Sequence, residues 1–282
     1  MPFLDINGGP IHYDSRGEGE TLVFIAGTGF SGKTWWPPSI ERMAKQFRVI
    51  TWDLRGTGES PSLPEVYSTR GFADDAAELL RQLDAAPAHV LGHSMGGRVA
   101  QWLALDHPEL VQTMILASSG SGRFPGNDQP YGVPVKQVVS TVQDGYAGAS
   151  VLYMESAWFP REIIDQDTYL LDWVFGHFWS TRPSLEDYFK HVVARQDHQT
   201  SELLPQIKAP TLVLIGDKDH HVGGTGSHFD QSKYLADHIP GAKLQVIPGA
   251  MHGLLWQEPD LIDGYVEAFI AEHSRAAAGA GR

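Results

Sequence analysis

The chain has 282 residues, 42% of them hydrophobic and 10% aromatic, enough for a large core in one domain or one domain with an insert. A formal net charge of -13 with no basic block argues against nucleic acid or an anionic membrane as a partner. The absence of cysteine rules out disulfides, thiolate zinc sites and a cysteine nucleophile.

Met1 to Asp5 carry no basic region followed by a long apolar stretch, and no run of 18 apolar residues occurs. Neither a signal peptide nor a transmembrane helix is therefore expected, and a cytoplasmic location is the expectation.

Phe3 to Ile6 and Ile11 to Asp14 flank Asn7-Gly8-Gly9, the pattern of a hairpin. Thr21 to Ala26 is continuously apolar, as a strand buried on both faces should be. A glycine-rich loop follows, then a helical stretch to Gln46 and a strand over Arg48 to Trp52. Thr69 to Leu83 has helical spacing, with Leu79, Leu80 and Leu83 on one side. Further strands are predicted just before Ser94, over Thr113 to Ala117, over Thr211 to Ile215 and over Leu244 to Ile247. Helices are predicted over Gln231 to His238 and Trp256 to Glu272. Strands alternating with helices imply a mostly parallel sheet covered on both faces.

The alternation breaks after Ser118. Residues 121–204 show no short buried strand and are dense in tryptophan, tyrosine and phenylalanine. They are expected to form a helical cap inserted into a core made of residues 1–120 and 205–282.

His89 to Ala100 reads as strand, tight turn and helix start, with Ser94 at the apex of Gly92-His93-Ser94-Met95-Gly96. A nucleophile held on such a turn needs glycine two residues away on each side, and the helix beginning beneath it favours negative charge. A serine hydroxyl also needs a base, and the base an orienting acid. In parallel sheets these groups lie at the carboxyl ends of strands. Gly216-Asp217-Lys218-Asp219-His220-His221 follows one late strand, and Pro248-Gly249-Ala250-Met251-His252 follows the next. The order Ser94, Asp219 or Asp217, His252 is that of one hydrolase class. His220, His221 and His228 beside the two aspartates form a weak metal pattern, since adjacent loop histidines rarely face one ion. No metal and no cofactor are expected. His177, His191 and His198 are expected at the cap surface or in the pocket.

The chain resembles α/β-hydrolase-fold enzymes along nearly its whole length. The likeness rests on Ala26-Gly27-Thr28-Gly29, Asp53-x-Arg55-Gly56-x-Gly58-x-Ser60, the elbow from Gly92 to Gly97, and Gly216-x-x-Asp219 with a late His252. It implies an eight-stranded, mostly parallel sheet and selects Asp219 as the acid. It also implies the backbone N–H groups of Thr28 and Met95 as the oxyanion hole, although the loop's usual His-Gly is here Ala26-Gly27. Trp35 is expected to pack under this loop, and Asp53 and Arg55 to shape a turn.

Ser94, Asp219 and His252 are thus expected to cleave a carboxylic ester or lactone through an acyl-enzyme. Trp36, Tyr153, Trp158, Phe178 and Trp179 are the candidate substrate contacts, in an apolar pocket for an uncharged or weakly charged apolar small molecule of moderate size. The elbow is also similar to that of enol-lactone hydrolases, of hydrolases that cut carbon–carbon bonds in ring-fission products, and of a lyase of menaquinone synthesis. Substrates of the last two carry carboxylates and need cations such as Arg98, Arg123, Arg161 or Arg195. A non-catalytic ligand receptor on the same fold is the alternative of a different class. Serine at the elbow argues against haloalkane dehalogenases and epoxide hydrolases, which use aspartate there.

Overall fold

The computed structural model describes residues 2–128, 131–166, 168–220 and 227–274, with the side chains of 151–155, 166 and 168 excepted. Asn7 and Gly8 both adopt positive φ, 44° and 91°, and turn β1 (Phe3–Ile6) into β2 (Gly9–Arg16). β3 (Thr21–Ile25) leads to α1 (Pro37–Met43), β4 (Arg48–Trp52), α2 (Thr69–Gln82), β5 (Ala88–His93), α3 (Met95–Asp106) and β6 (Val111–Ala117). Four helices follow: α4 (Val135–Ala157), α5 (Arg161–Gln166), α6 (Thr168–Thr181) and α7 (Leu185–Gln196). The sheet then resumes with β7 (Thr211–Gly216), α8 (His228–His238), β8 (Lys243–Ile247), α9 (Leu254–Gln257) and α10 (Pro259–His273).

The strands form one sheet of eight in the order β1-β2-β4-β3-β5-β6-β7-β8. The β1–β2 and β2–β4 pairs are antiparallel and the rest parallel. Alternate residues of each strand serve opposite faces, as the two-residue pleat requires. Val23, Ile25, Val90, Met114 and Leu116 pack on one face with residues of α2, α3 and α8. Leu22, Phe24, Leu91, Ile115 and Leu214 pack on the other with residues of α1 and α10. Each such side chain contributes about 1.5–3 kcal/mol by leaving water.

β4 lies on one side of β3 and β5 on the other, so the chain reverses its winding direction between β3 and β5. A crevice opens at the carboxyl ends of strands at such a point. The loop after β3 carries Gly27 and Thr28, and the turn after β5 carries Ser94.

Two expectations need correction. The last helix is broken: Glu258, with φ -129° and ψ 55°, separates α9 from α10. The following Pro259 disfavours helical geometry at that residue. α8 begins at His228, earlier than its apolar spacing indicates, because the Ser227 side chain accepts from the Asp230 N–H and caps it. The aromatics of residues 121–204 also pack onto the core. Trp158, Phe159 and Phe178 join the cluster that contains Phe30, Trp35 and Trp256, and Trp158 lies 4.8 Å from Phe30 and 4.9 Å from Trp256 between ring centroids.

The Asp53–Ser60 turn is structural, as expected. Asp53 accepts from the Gly32 and Glu59 N–H groups at 2.7 and 2.9 Å. Arg55 makes a two-pronged bond to Asp75, at 2.7 and 2.9 Å, across the β1–α2 side of the sheet. Trp35 stacks on Trp256 at 5.8 Å and meets Phe24 of β3 edge-on at 5.0 Å.

Candidate active site

Ser94 sits between β5 and α3 with φ 54° and ψ -117°, a conformation that costs an L-residue on the order of 1–3 kcal/mol. Neighbouring chain holds it there. The Ser94 N–H donates to the Ala117 carbonyl at 2.9 Å, and the Ser119 hydroxyl donates to the Ser94 carbonyl at 2.7 Å. The two flanking glycines are steric necessities: a Cβ on Gly92 would overlap the Gly96 carbonyl, and one on Gly96 would overlap the Ile25 carbonyl. The Gly27 loop also comes close, since a Cβ at Gly27 would stand 3.3 Å from that of Ser94.

Asp219 follows β7 and His252 follows β8, and the register Gly216↔Ile247 brings the two loops side by side. His252 Nδ1 lies 3.0 Å from Asp219 Oδ2, with both residues 1% exposed. Asp217 does something else. Its Oδ1 accepts from the Gly249 N–H at 2.7 Å and ties the two loops together at their base. Ser94, 7% exposed, and His252 open into the same cavity of about 430 Å³, together with Gly27 and Thr28. Met95 occupies the first position of α3, where a backbone N–H has no carbonyl partner within the helix.

Three histidines brace this arrangement. His93 Nε2 donates to the His252 carbonyl at 2.9 Å, so the residue beside Ser94 grips the loop that carries His252. Burial, reinforced by the neighbouring His252, pushes the His93 pKa down to about 3 and keeps its ring neutral. His191, on α7, accepts from the Gly29 N–H at 3.3 Å through Nδ1 and donates through Nε2 to the Arg55 carbonyl at 2.8 Å. It steadies the Gly27–Gly29 loop, in which Ala26 stands where the resemblance leads one to expect histidine. Burial lowers its pKa to about 4, which suits that double role.

The third is His228, at the start of α8. Its Nδ1 lies 3.5 Å from Asp219 Oδ1, and its ring centroid lies 4.6 Å from that of His252. Burial alone would raise the Asp219 carboxyl, but the imidazoles of His252 and His228 outweigh it and hold it well below the usual carboxylate range. Burial lowers His228 to about 4. Asp219, His228 and His252 also form a potential metal-ligand set, with one atom of each within 4.8 Å of the others. The same spacing arises from a carboxylate flanked by two imidazoles. His220 packs its ring on Phe229 at 5.5 Å, and His221 lies outside the described residues.

The expected substrate contacts divide. Trp158 and Phe178 line the cavity. Trp36 instead packs edge-on against Trp173 at 4.9 Å, and Trp179 stacks on Phe175 with Arg182 over its ring. Neither is among the lining residues: Trp36 is engaged by Trp173, and Trp179 stands behind the lining Tyr146, 6.2 Å away between ring centroids. The side chain of Tyr153 lies outside the described ones. Of the insert's other histidines, His198 is buried between Thr69 and Thr200, and His177 stacks on Trp173. Neither lines the cavity.

The wall is less apolar than the aromatic content implies. Phe30, Trp158 and Phe178 form one part, but Lys136, Gln137, Thr141, Tyr146, Tyr188 and Arg195 form another. On α4 the apolar row Val135, Val138, Val139 and Val142 is exposed while the polar Lys136, Gln137 and Thr141 border the cavity, so helical spacing points to the wrong face; Arg195 alone of these lining residues was flagged, by its charge.

Comparison with known proteins agrees with this architecture. The sequence profile described as the alpha/beta hydrolase fold matches residues 20–259. The chain belongs to the α/β-hydrolase fold family. The protein is a hydrolase of that family, and similar proteins span nearly all of it. One, from Pseudomonas syringae pv. syringae, bears the name "Putative carbamate hydrolase RutD"; it is 28% identical over 266 residues, 92% of this chain and 97% of that protein. Est816, described as an N-acyl homoserine lactone degrading enzyme, is 30% identical with a TM-score of 0.80, covering 95% of this chain and all (100%) of that one. The enol-lactonase from Burkholderia xenovorans LB400 superposes with a TM-score of 0.83 over 96% of this chain and 100% of that one, at 24% identity, and so attests the fold. No helix among the described residues is long and apolar enough to cross a membrane.

Proposed function

We propose that this α/β-hydrolase is a serine hydrolase that cleaves a carboxylic ester or lactone through an acyl-enzyme. The observation that carries the reading is the strained Ser94 at the head of α3, opening into one cavity with a histidine whose other nitrogen faces a buried aspartate. Ser94 attacks the carbonyl and His252 takes its proton through Nε2. Asp219 holds the Nδ1–H tautomer and stabilises the imidazolium. The Thr28 and Met95 N–H groups receive the oxyanion. His252 then protonates the leaving alcohol and activates the water that releases the acid. Neither metal nor cofactor enters these steps, and a cytoplasmic small-molecule substrate is the setting we favour. Likeness to Est816, at 30% identity, supports the lactone side of the reading.

A carbamate is the second reading, favoured by the names of relatives such as the Pseudomonas syringae protein. It uses the same nucleophile on a carbonyl with a nitrogen substituent. Turnover of matched aryl esters, lactones and aryl carbamates ranks the two. A fluorophosphonate adduct mapped by peptide mass spectrometry should fall on Ser94. An adduct on another residue, with full activity in Ser94→Ala, would refute the mechanism. Failure to turn over any of these substrates would favour a ligand receptor.

A further inference from the structure

The cavity has a charged end that the acyl-transfer steps do not use. Arg195, on α7, is 6% exposed and lines the cavity. Its Nη2 donates to Gln137 Oε1 at 3.4 Å, and Gln137 Nε2 donates to the Tyr188 hydroxyl oxygen at 3.0 Å. With its oxygen occupied as an acceptor, Tyr188 has its own proton to offer. Tyr146 lies 5.1 Å from Tyr188 between ring centroids, and its buried hydroxyl meets no partner among the described residues. Behind this wall, the fully buried Arg98 donates to the Arg195 main-chain carbonyl.

Two guanidiniums thus stand close together in a poorly solvated place. Burial, and then the repulsion of Arg195, pull Arg98 down to about 9. Burial raises both phenols, so they remain proton donors at neutral pH. Among the described lining residues the charged groups are Lys136 and Arg195, and none is a carboxylate. A wall of donors with positive potential and buried cations attracts an anion with acceptor oxygens. A planar carboxylate matches a guanidinium flanked by hydroxyl donors.

We propose that the Arg195–Gln137–Tyr188–Tyr146 end of the cavity is a carboxylate subsite, so that the preferred substrate carries a carboxylate remote from its scissile bond. This rests on the hydrolase reading for the bond cleaved, but the binding itself does not. It replaces the expectation of an uncharged substrate: the aromatic wall near Phe30, Trp158 and Phe178 holds the apolar part, and the Arg195 end reads the charge.

Trp158 lines the cavity and serves as a fluorescent reporter of binding that needs no turnover. The test titrates the wild-type protein with N-methyl monoamides of dicarboxylic acids of four to eight carbons, which resist cleavage during a titration, and with N-methyl alkanamides of the same lengths. The expected result is at least tenfold tighter binding of the charged member at one optimal length, reporting the span from Ser94 to Arg195. Mono-4-nitrophenyl esters of the same acids should show the same preference in kcat/KM. Arg195→Gln should bring the charged-to-neutral ratio close to one, and Arg195→Lys should keep part of it. Equal or weaker binding of every charged member to wild type would overturn the proposal, whether or not Arg195→Gln folds. Binding preference without turnover of any ester would leave the subsite standing and refute the hydrolytic reading instead.

Discussion

His93 Nε2 and the main-chain carbonyl of His252 are 2.9 Å apart, so the turn that presents Ser94 and the loop that presents His252 are joined directly. The bond links groups 159 residues apart in sequence. With the His93 pKa near 3, the ring donates from Nε2 throughout the neutral range. His93→Phe keeps the bulk and removes the donor. Turnover should fall roughly 10–100-fold, as misplacement of a catalytic group by a fraction of an ångström does, with a smaller change in KM. A kcat within twofold of wild type would dismiss the link as packing only.

The two aspartates after β7 separate by what they hold. Asp219→Asn should lower kcat by about 10³–10⁴-fold, because the amide supports the wrong imidazole tautomer. Asp217→Asn loses only the acceptor for the Gly249 N–H, so its main effect should be on stability, on the order of 1 kcal/mol. Steady-state kinetics and urea unfolding of the pair decide it, and the reverse ranking would move the acid to Asp217.

His228 Nδ1 stands 3.5 Å from the second oxygen of Asp219, and we expect it to act as a positioning residue. His228→Phe should lower kcat about tenfold and displace the acidic limb of the pH–rate profile, since Asp219 is then free to turn. His228→Gln, which can still donate, should restore most of both. An unshifted profile in both variants would mean that His228 only fills space. Activity should also survive exhaustive chelation; loss reversed by a divalent ion would assign Asp219, His228 and His252 to a metal.

Stability should fall steeply in mild acid. Burial depresses His93 to about 3, His191 and His228 to about 4, and His198 well below its usual value. These rings stay neutral in the folded protein, whereas an unfolded histidine takes up a proton near pH 6.5. The unfolded state therefore binds more protons, and stability drops as pH falls from about 6.5 toward 4. Asp263 opposes this: burial raises it to about 6, so its share of stability is present at low pH and lost as pH rises between about 4 and 6. Four groups against one leave roughly two to three protons net at pH 5, or about 3–4 kcal/mol per pH unit. Urea unfolding at pH 7.5, 6 and 5 measures the slope, and a flat profile would contradict the buried neutral histidines.

Gly96 tests the packing of the elbow. Gly96→Ala would drive its Cβ into the Ile25 carbonyl of the neighbouring strand, which cannot give way without distorting the sheet. A loss of soluble folded protein, or of about 3 kcal/mol, the upper end of the usual cost of overpacking, is expected. Wild-type stability in this variant would show that the turn is looser than its geometry indicates.

Much of the architecture was legible in local pattern, because strand and helix periods are written in consecutive residues. The continuous apolar runs of β3 and β7 announce strands buried on both faces, and Asn7-Gly8 announces the hairpin. Ser94 was legible because its turn demands glycine at fixed short distances. His252 and the pair Asp217/Asp219 were legible because parallel sheets put loops at strand ends. The break at Glu258 was less so, since the apolar spacing of Trp256 to Ile270 runs across it and only Pro259 marks it.

By itself, then, the sequence determined the sheet, the elbow and a short list of groups at one edge of it, all features set within about ten residues of chain. Only the tertiary structure separates Asp217 from Asp219 by contact, since they lie two residues apart in one loop and differ only in what reaches them: His252 stands beside Asp219, and the Gly249 N–H donates to Asp217. It also decided that His93, His191 and His228 brace the site, and that Arg195, Gln137, Tyr146 and Tyr188 share a cavity that Trp36 and Trp179 do not enter. Those relations depend on how α4 to α7 fold back over the sheet. The direction of a side chain across such a gap is fixed by contacts between distant segments, for which the local sequence carries no period.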